Sequence, residues 1–393
     1  MKNILFVTYK MGAGGVEKAL INVLQLLDKS QYKAEVMVIQ DGGEFIDYLP
    51  KDIKLLKYNC PNYISKVTNY AKRVTKEDCP NIKRYIWNLL LFMNRVSIKL
   101  FKKAFIFRIF DLKYRKNNPL DKYDMIIDFH GYGNYTSYLV AMAKVDAIKV
   151  SWIHEQTIYP AYRRIGGIYK RFDKIFGNCL DSCDNFISVF PKCREKVEVY
   201  YNYLDINEII TKANEKVPKE LEIDKTKIIS VGRVTEQKDF MKAIETAEIL
   251  KKRDIEFKWV VVGNGDQYEE LYDVVQVKQL NDVMEFVGFR NNPYVYIKNA
   301  DLYVQTSRAE GYCTTISEAI ILGKPVVSTE VGGVNEQLDN GKGGIITKHN
   351  PIDIANAIIH LINHKTDMEK IINHNKGKNM RFEKELEKLY RLF

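Results

Sequence analysis

Twice along this chain an apolar run rich in β-branched residues stops at glycine and gives way to a helical pattern. Residues 4–8 are followed by Lys10, Met11, Gly12, Ala13, Gly14 and Gly15, and then by helical spacing over residues 16–27. Residues 227–231 run into Gly232 and Arg233, and residues 240–251 again carry helical spacing. Strand, glycine turn and helix form the opening unit of a doubly wound sheet. Further strands are expected at 35–40, 124–129 and 149–153, with 185–190 (NFISVF) closing the first half. In the second half they are expected at 258–262, 284–287, 302–305 and 325–328, with a helix over 315–322. Such alternation predicts an α/β chain of two Rossmann-like, mostly parallel sheets. The polar stretch 202–225 separates them, giving domains 1–203 and 204–393. Residues 382–393 read as a short amphipathic terminal helix.

Hydrophobic residues make up 46% and charged residues 28%, a mixture that fills two cores and excludes a disordered chain. The six cysteines, at 60, 79, 179, 183, 193 and 313, form no C-x-x-C pair, so they read as buried thiols of a reduced, cytoplasmic protein. The first residues do not read as a secretory signal, and no run reaches the roughly 18 apolar residues of a spanning helix.

The charge is uneven. Net charge is +10, but residues 66–118 alone hold 14 Lys or Arg against 3 acids, a net of +11. Within it, residues 85–110 interleave aromatic and aliphatic side chains with cations, which suits peripheral contact with an anionic membrane.

The stretch 307–323 (SRAEGYCTTISEAIILG) carries the clearest chemistry. Gly311 frees the turn, and the backbone amides of Tyr312, Cys313, Thr314 and Thr315 stand at a helix start, where orphan donors and the helix dipole favour an anion. Glu310 and Glu318 flank that turn, eight positions apart, as acceptors for hydroxyl groups. Arg233 offers a planar fork of donors and Lys238 a point charge, both suited to a diphosphate. The chain has no D-x-D triplet, and these cations with a helix N-terminus take its place; no metal and no cofactor are expected.

With its E-x7-E spacing and the Gly323, Lys324, Pro325, Val326 that follow, the chain resembles family 4 of the retaining glycosyltransferases, whose fold is GT-B. The resemblance extends to Gly14, Gly15, Val16 and Glu17, to Ser151 through Glu155, and to Tyr201, Asn202 and Asp205. It continues through Gly232, Arg233 and Lys238, through Val262 to Gly265, and through Gly288, Gly332, Gly333 and Glu336. It implies two Rossmann-like domains facing across a cleft, with the last helix crossing back to the N-terminal one. It further implies a nucleotide-sugar donor, UDP-linked by expectation, and a glycan or lipid-linked acceptor of bacterial surface polysaccharide synthesis, at the inner face of the cell membrane.

The resemblance also assigns roles. His154 and Glu310 are the catalytic residues, with Glu310 on sugar hydroxyls and Glu318 on the ribose. Arg233 and Lys238 grip the diphosphate. Gly14, Gly15, Gly263, Gly288, Phe289, Gly311, Tyr312, Cys313, Thr314 and Thr315 complete the donor site. His130, in DFHGYGN, and the cations Arg163, Arg164, Lys170 and Arg171 are the acceptor-side candidates.

Two rival classes remain. A nicotinamide enzyme or sugar-nucleotide epimerase wants G-x-G-x-x-G, but Gly12 and Gly14 are followed by Glu17 at the last glycine position. A basic scaffold binding nucleic acid or membrane has no use for Arg233, Lys238, Glu310 and Glu318 together, and no nucleic-acid partner is expected.

Overall fold

The structure is a computed structural model, which describes residues 1–12, 14–58, 83–101, 120–131, 133, 135–154, 166–376 and 383–393. Arg163, Arg164, Glu155, Cys60, Cys79 and residues 66–82 and 102–118 of the basic segment lie outside them. The chain divides into two compact units, one holding the described residues up to Tyr203 together with the last helix, the other beginning at Leu204.

The first unit runs β1 (Lys2–Thr8), α1 (Gly15–Leu26), β2 (Tyr32–Val38), β3 (Lys54–Lys57), α2 (Lys83–Phe101), β4 (Met125–Asp128), α3 (Tyr135–Ala141), β5 (Ile148–Ile153), β6 (Lys174–Gly177), α4 (Leu180–Val189) and β7 (Val197–Val199). Its strands are ordered β3-β2-β1-β4-β5-β6-β7 and pair in parallel. Alternate side chains of β1 enter different cores. Ile4 and Phe6 pack with Val36, Met125, Ile127 and Trp152, whereas Leu5 and Val7 pack with Met37, Ile126 and Ile153. A sheet buried on both faces explains why its strands read as continuous apolar runs.

Of residues 185–190, expected as a strand, 185–189 belong to α4 instead and Phe190 is its cap. Cys179 caps that helix, its Sγ accepting the Ser182 amide at 3.4 Å, and Ser182, Cys183 and Phe186 form the buried stripe at helical spacing. The sheet is completed by the short β6 and β7.

The second unit runs α5 (Ile206–Ala213), β8 (Thr226–Val231), α6 (Phe240–Lys252), β9 (Phe257–Val262), α7 (Tyr268–Val277), β10 (Met284–Gly288), α8 (Tyr294–Asn299), β11 (Leu302–Gln305), α9 (Thr314–Ile321), β12 (Val326–Thr329), α10 (Val334–Gln337), β13 (Ile345–Thr347), α11 (Pro351–Asn363) and α12 (Lys365–Lys376). Its parallel order is β10-β9-β8-β11-β12-β13. Ile228, Trp259, Val261 and Val304 fill one face, and Ile229, Val260, Val262 and Tyr303 the other.

The last helix, α13 (Glu383–Tyr390), packs in the first unit. Leu386 and Leu389 are buried among Leu20, Val36 and Val38, Tyr390 stacks on Tyr32 with centroids 4.6 Å apart, and the Asp28 amide donates to the Tyr390 hydroxyl at 3.0 Å. Lys388 donates to Val199 O at 2.8 Å, and the Tyr201 amide donates to Glu385 at 3.0 Å.

Candidate functional site

In each unit the strand order reverses direction beside its first strand, between β1 and β4 and between β8 and β11. Loops leaving the carboxyl ends of such a strand pair diverge to opposite faces, and the crevice between them is where open α/β sheets bind ligands. Apart from Lys170 and Arg171, which precede β6, the described candidate residues follow the carboxyl ends of strands at or next to these two places.

In the second unit, glycines end three adjacent strands: Gly232 after β8, Gly263 after β9 and Gly288 closing β10. The Gly232 amide donates to Val262 O at 3.0 Å, and the Gly263 amide to Gly288 O at 3.0 Å. A Cβ on Gly263, whose φ is +150°, would lie 1.8 Å from Gly232 O. A Cβ on Gly232 would lie 3.1 Å from Lys238 Cε, so the bare backbone there is what lets the lysine side chain lie across it.

Lys238 and Glu310 meet at this switch point. Lys238 Nζ is 2.7 Å from Glu310 Oε1, with side chains 16% and 10% exposed. Burial alone would discharge Lys238, but the neighbouring Cys313 sulfur and the charge and hydrogen bond of the Glu310 carboxylate outweigh it and hold the ammonium above the ordinary lysine range. Glu310 Oε1 also accepts the Ser307 hydroxyl at 2.6 Å, and Gln305 in turn donates to Ser307 Oγ at 2.5 Å. These bonds converge on Oε1, which leaves Oε2 to accept from a ligand hydroxyl. Arg233 is exposed beside Lys238, close enough for its charge to act on the ammonium.

The two loops are stitched together. Arg308 N donates to Gln237 O at 2.8 Å, Gln237 Nε2 to Ala309 O at 2.9 Å, and Thr306 Oγ1 to Lys238 O at 3.1 Å. Asp239, buried and left-handed at φ 48°, accepts Arg308 Nε at 2.8 Å and lies 3.0 Å from His349 Nε2. Sequence reasoning missed the Asp239 pairs because they join segments that only the sheet order makes neighbours, and it missed the Ser307–Gln305 support, though local, because nothing in the residues 305–310 says which way those side chains turn.

Helix α9 starts where the anion cradle was expected, with one correction. The Cys313 amide is not open to a ligand: it donates to Gln337 Oε1 at 3.1 Å, while Gln337 Nε2 donates to Cys313 O at 2.8 Å and Ser317 Oγ at 2.9 Å. A buried helix end needs partners for its amides, and Gln337 of α10 supplies one. Thr314 and Thr315 provide the remaining first-turn amides. The Thr315 hydroxyl accepts from Tyr303 at 2.6 Å. Burial pushes the Cys313 thiol up, keeping it protonated. Glu318 is 1% exposed, so it is not an ordinary surface acid. Gly311 is buried, Tyr312 partly so, and Phe289 is 48% exposed next to Gly288.

In the first unit, Gly14 precedes α1 as its cap residue and Gly15 opens the helix. Across the switch point, buried Asp128 ends β4 and accepts Thr136 Oγ1 at 2.7 Å, the Gly131 amide at 3.1 Å and Ser151 Oγ at 3.1 Å. Burial raises its pKa despite those bonds. The loop it fixes carries His130, whose ring lies 5.6 Å from Tyr9, and Gly131, where a Cβ would meet Trp152 O at 2.0 Å. His154 follows β5 and is 6% exposed, with Nε2 2.8 Å from Phe129 O. That bond places the imidazole proton on Nε2. Burial pushes His154 down to about 4 and His130, which lies beside His154, down to about 3, so both rings are neutral at pH 7. Lys170 and Arg171 are exposed.

Residues 212–378 match the family model of the glycosyl transferases group 1. The chain is 27% identical over 182 residues, 46% of itself and 48% of the relative, to N-acetylgalactosamine-N,N'-diacetylbacillosaminyl-diphospho-undecaprenol 4-alpha-N-acetylgalactosaminyltransferase of Campylobacter jejuni. It is 26% identical over 230 residues, 54% of itself and 62% of the relative, to the O-antigen biosynthesis glycosyltransferase WclY of Escherichia coli. It thus spans about half the length of the curated relatives it matches. Among solved structures it is similar to Anabaena Alr3699/HepE in complex with UDP-glucose, with a TM-score of 0.73, 18% identity and full coverage of both chains. That likeness establishes the GT-B fold.

Proposed function

We propose that this chain, which carries a glycosyl transferases group 1 domain at residues 212–378, is a retaining glycosyltransferase that moves a sugar from a UDP-sugar to a hydroxyl of a glycan or lipid-linked acceptor in bacterial surface polysaccharide synthesis. The observation that carries this reading is the Lys238–Glu310 pair at the switch point of the second sheet. A buried cation suited to a diphosphate sits against a carboxylate with one oxygen available to sugar hydroxyls. The UDP and UDP-glucose complexes of the similar Anabaena protein favour a UDP donor.

The proposed chemistry follows from these groups. Lys238, Arg233 and the amides of Thr314 and Thr315 hold the diphosphate and stabilise the charge that develops as the anomeric carbon–oxygen bond breaks, with no essential metal. Glu310 holds the sugar hydroxyls and Glu318 the ribose, while Gly263, Gly288 and Phe289 border the nucleoside. The acceptor oxygen bonds to the anomeric carbon on the face the diphosphate leaves, and the departing phosphate takes the acceptor proton, so configuration is retained. His154, neutral and fixed through Nε2, touches the sugar; Gly14, Gly15 and His130 serve the phosphates and the acceptor. Arg163 and Arg164 remain acceptor-side candidates. The enzyme works in the cytoplasm at the inner face of the cell membrane.

Donor hydrolysis across UDP-, GDP- and ADP-sugars tests the reading, with thermal shifts by UDP and by an oligonucleotide as a control. Turnover of a UDP-sugar, lost in Lys238→Ala with the fold intact, is expected. Stabilisation by oligonucleotide but not by UDP would count for a nucleic-acid binder.

A further inference from the structure

Central strand β11 carries two polar side chains into the interior. Along it Leu302 and Val304 pack on one face of the sheet, and Tyr303 and Gln305 share the other. Tyr303 and Gln305 are 0% and 2% exposed, and β11 lies between β8 and β12. A buried amide at such a position costs stability unless its hydrogen bonds are made, and an apolar side chain would serve the fold alone at least as well.

The bonds are made, and they run in one direction. Glu310 Oε1, paired with Lys238, can only accept, so the Ser307 hydroxyl 2.6 Å away gives it its proton. Ser307 Oγ must then accept in turn, which fixes the Gln305 amide with Nε2 toward Ser307 at 2.5 Å and Oε1 toward Tyr303 at 2.6 Å. Gln305 Nε2 also lies 3.5 Å from Glu310 Oε1. Tyr303 donates to Gln305, and burial keeps that proton on the phenol. The same hydroxyl is 2.6 Å from Thr315 Oγ1 in the first turn of α9. A relay of buried hydrogen bonds thus joins the helix start that offers amides to an anion with the carboxylate that offers an oxygen to hydroxyls. Lys238 cannot hold Glu310 once a diphosphate draws the ammonium away, whereas Ser307 and Gln305 still can.

On the donor chemistry proposed above, we infer that Tyr303 and Gln305 are positioning residues of the sugar subsite. Through Ser307 they keep Glu310 Oε1 turned inward after Lys238 has moved to the diphosphate, so that Oε2 stays presented to the sugar hydroxyls. Neither residue touches the substrate.

The test uses the whole chain with Tyr303→Phe, Gln305→Leu, Ser307→Ala and the double variant Tyr303→Phe/Ser307→Ala. The probes are UDP and whichever UDP-sugar the wild type turns over fastest. UDP should bind each single variant within about threefold of wild type, since Lys238, Arg233 and the α9 amides remain. Turnover should fall by about tenfold or more in kcat with a far smaller change in KM, as expected for a contact aligned in the transition state. The double variant should be no slower than the slower single one, because either change breaks the same relay; unconnected structural losses would multiply. Tyr303→Phe removes one buried oxygen and keeps the ring, so it carries the measurement even if Gln305→Leu fails to fold. Urea unfolding reads the same cycle without substrate: the combined loss should fall short of the product of the two single losses by about twofold or more in the unfolding constant. The inference is overturned if Tyr303→Phe turns over donor at the wild-type rate, if UDP affinity falls as far as turnover, or if the two substitutions act independently in either cycle. A wild type that turns over no UDP-sugar, with the unfolding cycle still coupled, would sink the enzymatic reading and leave Glu310 held by the relay.

Discussion

Replacing Glu310 by Gln should tighten UDP binding while removing turnover. Without donor, Lys238 is held by Glu310 at 2.7 Å, both side chains largely buried. A diphosphate must therefore draw the ammonium away from a carboxylate and sit near that carboxylate's charge. Glutamine keeps the volume and the oxygen that Ser307 bonds, and removes only the charge. A charge-assisted hydrogen bond of this kind contributes about 1.5–3 kcal/mol, so releasing Lys238 from it corresponds to roughly a tenfold to hundredfold lower Kd for UDP. The empty variant should also lose stability, on the order of 2–4 kcal/mol, because a buried cation is left unpaired, and should regain it when UDP binds. Titration calorimetry at low ionic strength reads the affinity, thermal unfolding with and without UDP reads the compensation, and donor hydrolysis reads the turnover. Weaker UDP binding in Glu310→Gln, or a UDP-induced stabilisation no larger than in the wild type, would refute the claim that this pair occupies the diphosphate site.

Other outcomes are equally specific. Gly263→Ala forces a methyl group 1.8 Å from Gly232 O at a left-handed position, and should cost on the order of 3 kcal/mol or more in urea unfolding and abolish UDP binding. Leu389→Ala leaves a cavity under α13 and should destabilise the chain by about 2–4 kcal/mol, again in urea unfolding, with UDP affinity preserved. His154 is neutral in the fold, with a pKa of about 4 against an ordinary 6.5, so the unfolded chain binds its proton first as pH falls. Its contribution is full above pH 6.5, declines between 6.5 and 4, and is absent below; unfolding of the wild type and His154→Gln across that window should differ in slope by an integrated amount on the order of 3 kcal/mol.

The alternation of strands and helices was legible because both sheets are parallel and buried on two faces, which makes each central strand a plain apolar run. The strands β3, β7 and β13 are short, partly exposed and at sheet edges, and with β6 they were not foreseen, whereas β4, β11 and β12, equally short, are buried throughout and were. The misreading of NFISVF had a physical cause: it is rich in aromatic and β-branched residues, as strands are, whereas the Cys179 cap and the depth of Phe186 mark a helix. At the candidate site, residue types were readable and partnerships were not. Lys238 and Glu310 each suggested phosphate and hydroxyl chemistry, but their mutual bond needs β8 and β11 to be neighbours. Gln337 closing the Cys313 amide was out of reach for the same reason; the sequence drew attention to Glu336, one position earlier.

The helix that follows the second unit in the chain completes the first. During synthesis, the apolar socket formed by Leu20, Val36 and Val38 must wait, uncovered, until the ribosome has made everything through Leu389. A premature stop that removes only α13 would thus injure the half of the protein translated earliest, and nascent chains stalled anywhere in the second unit would present chaperones with the same unfilled groove.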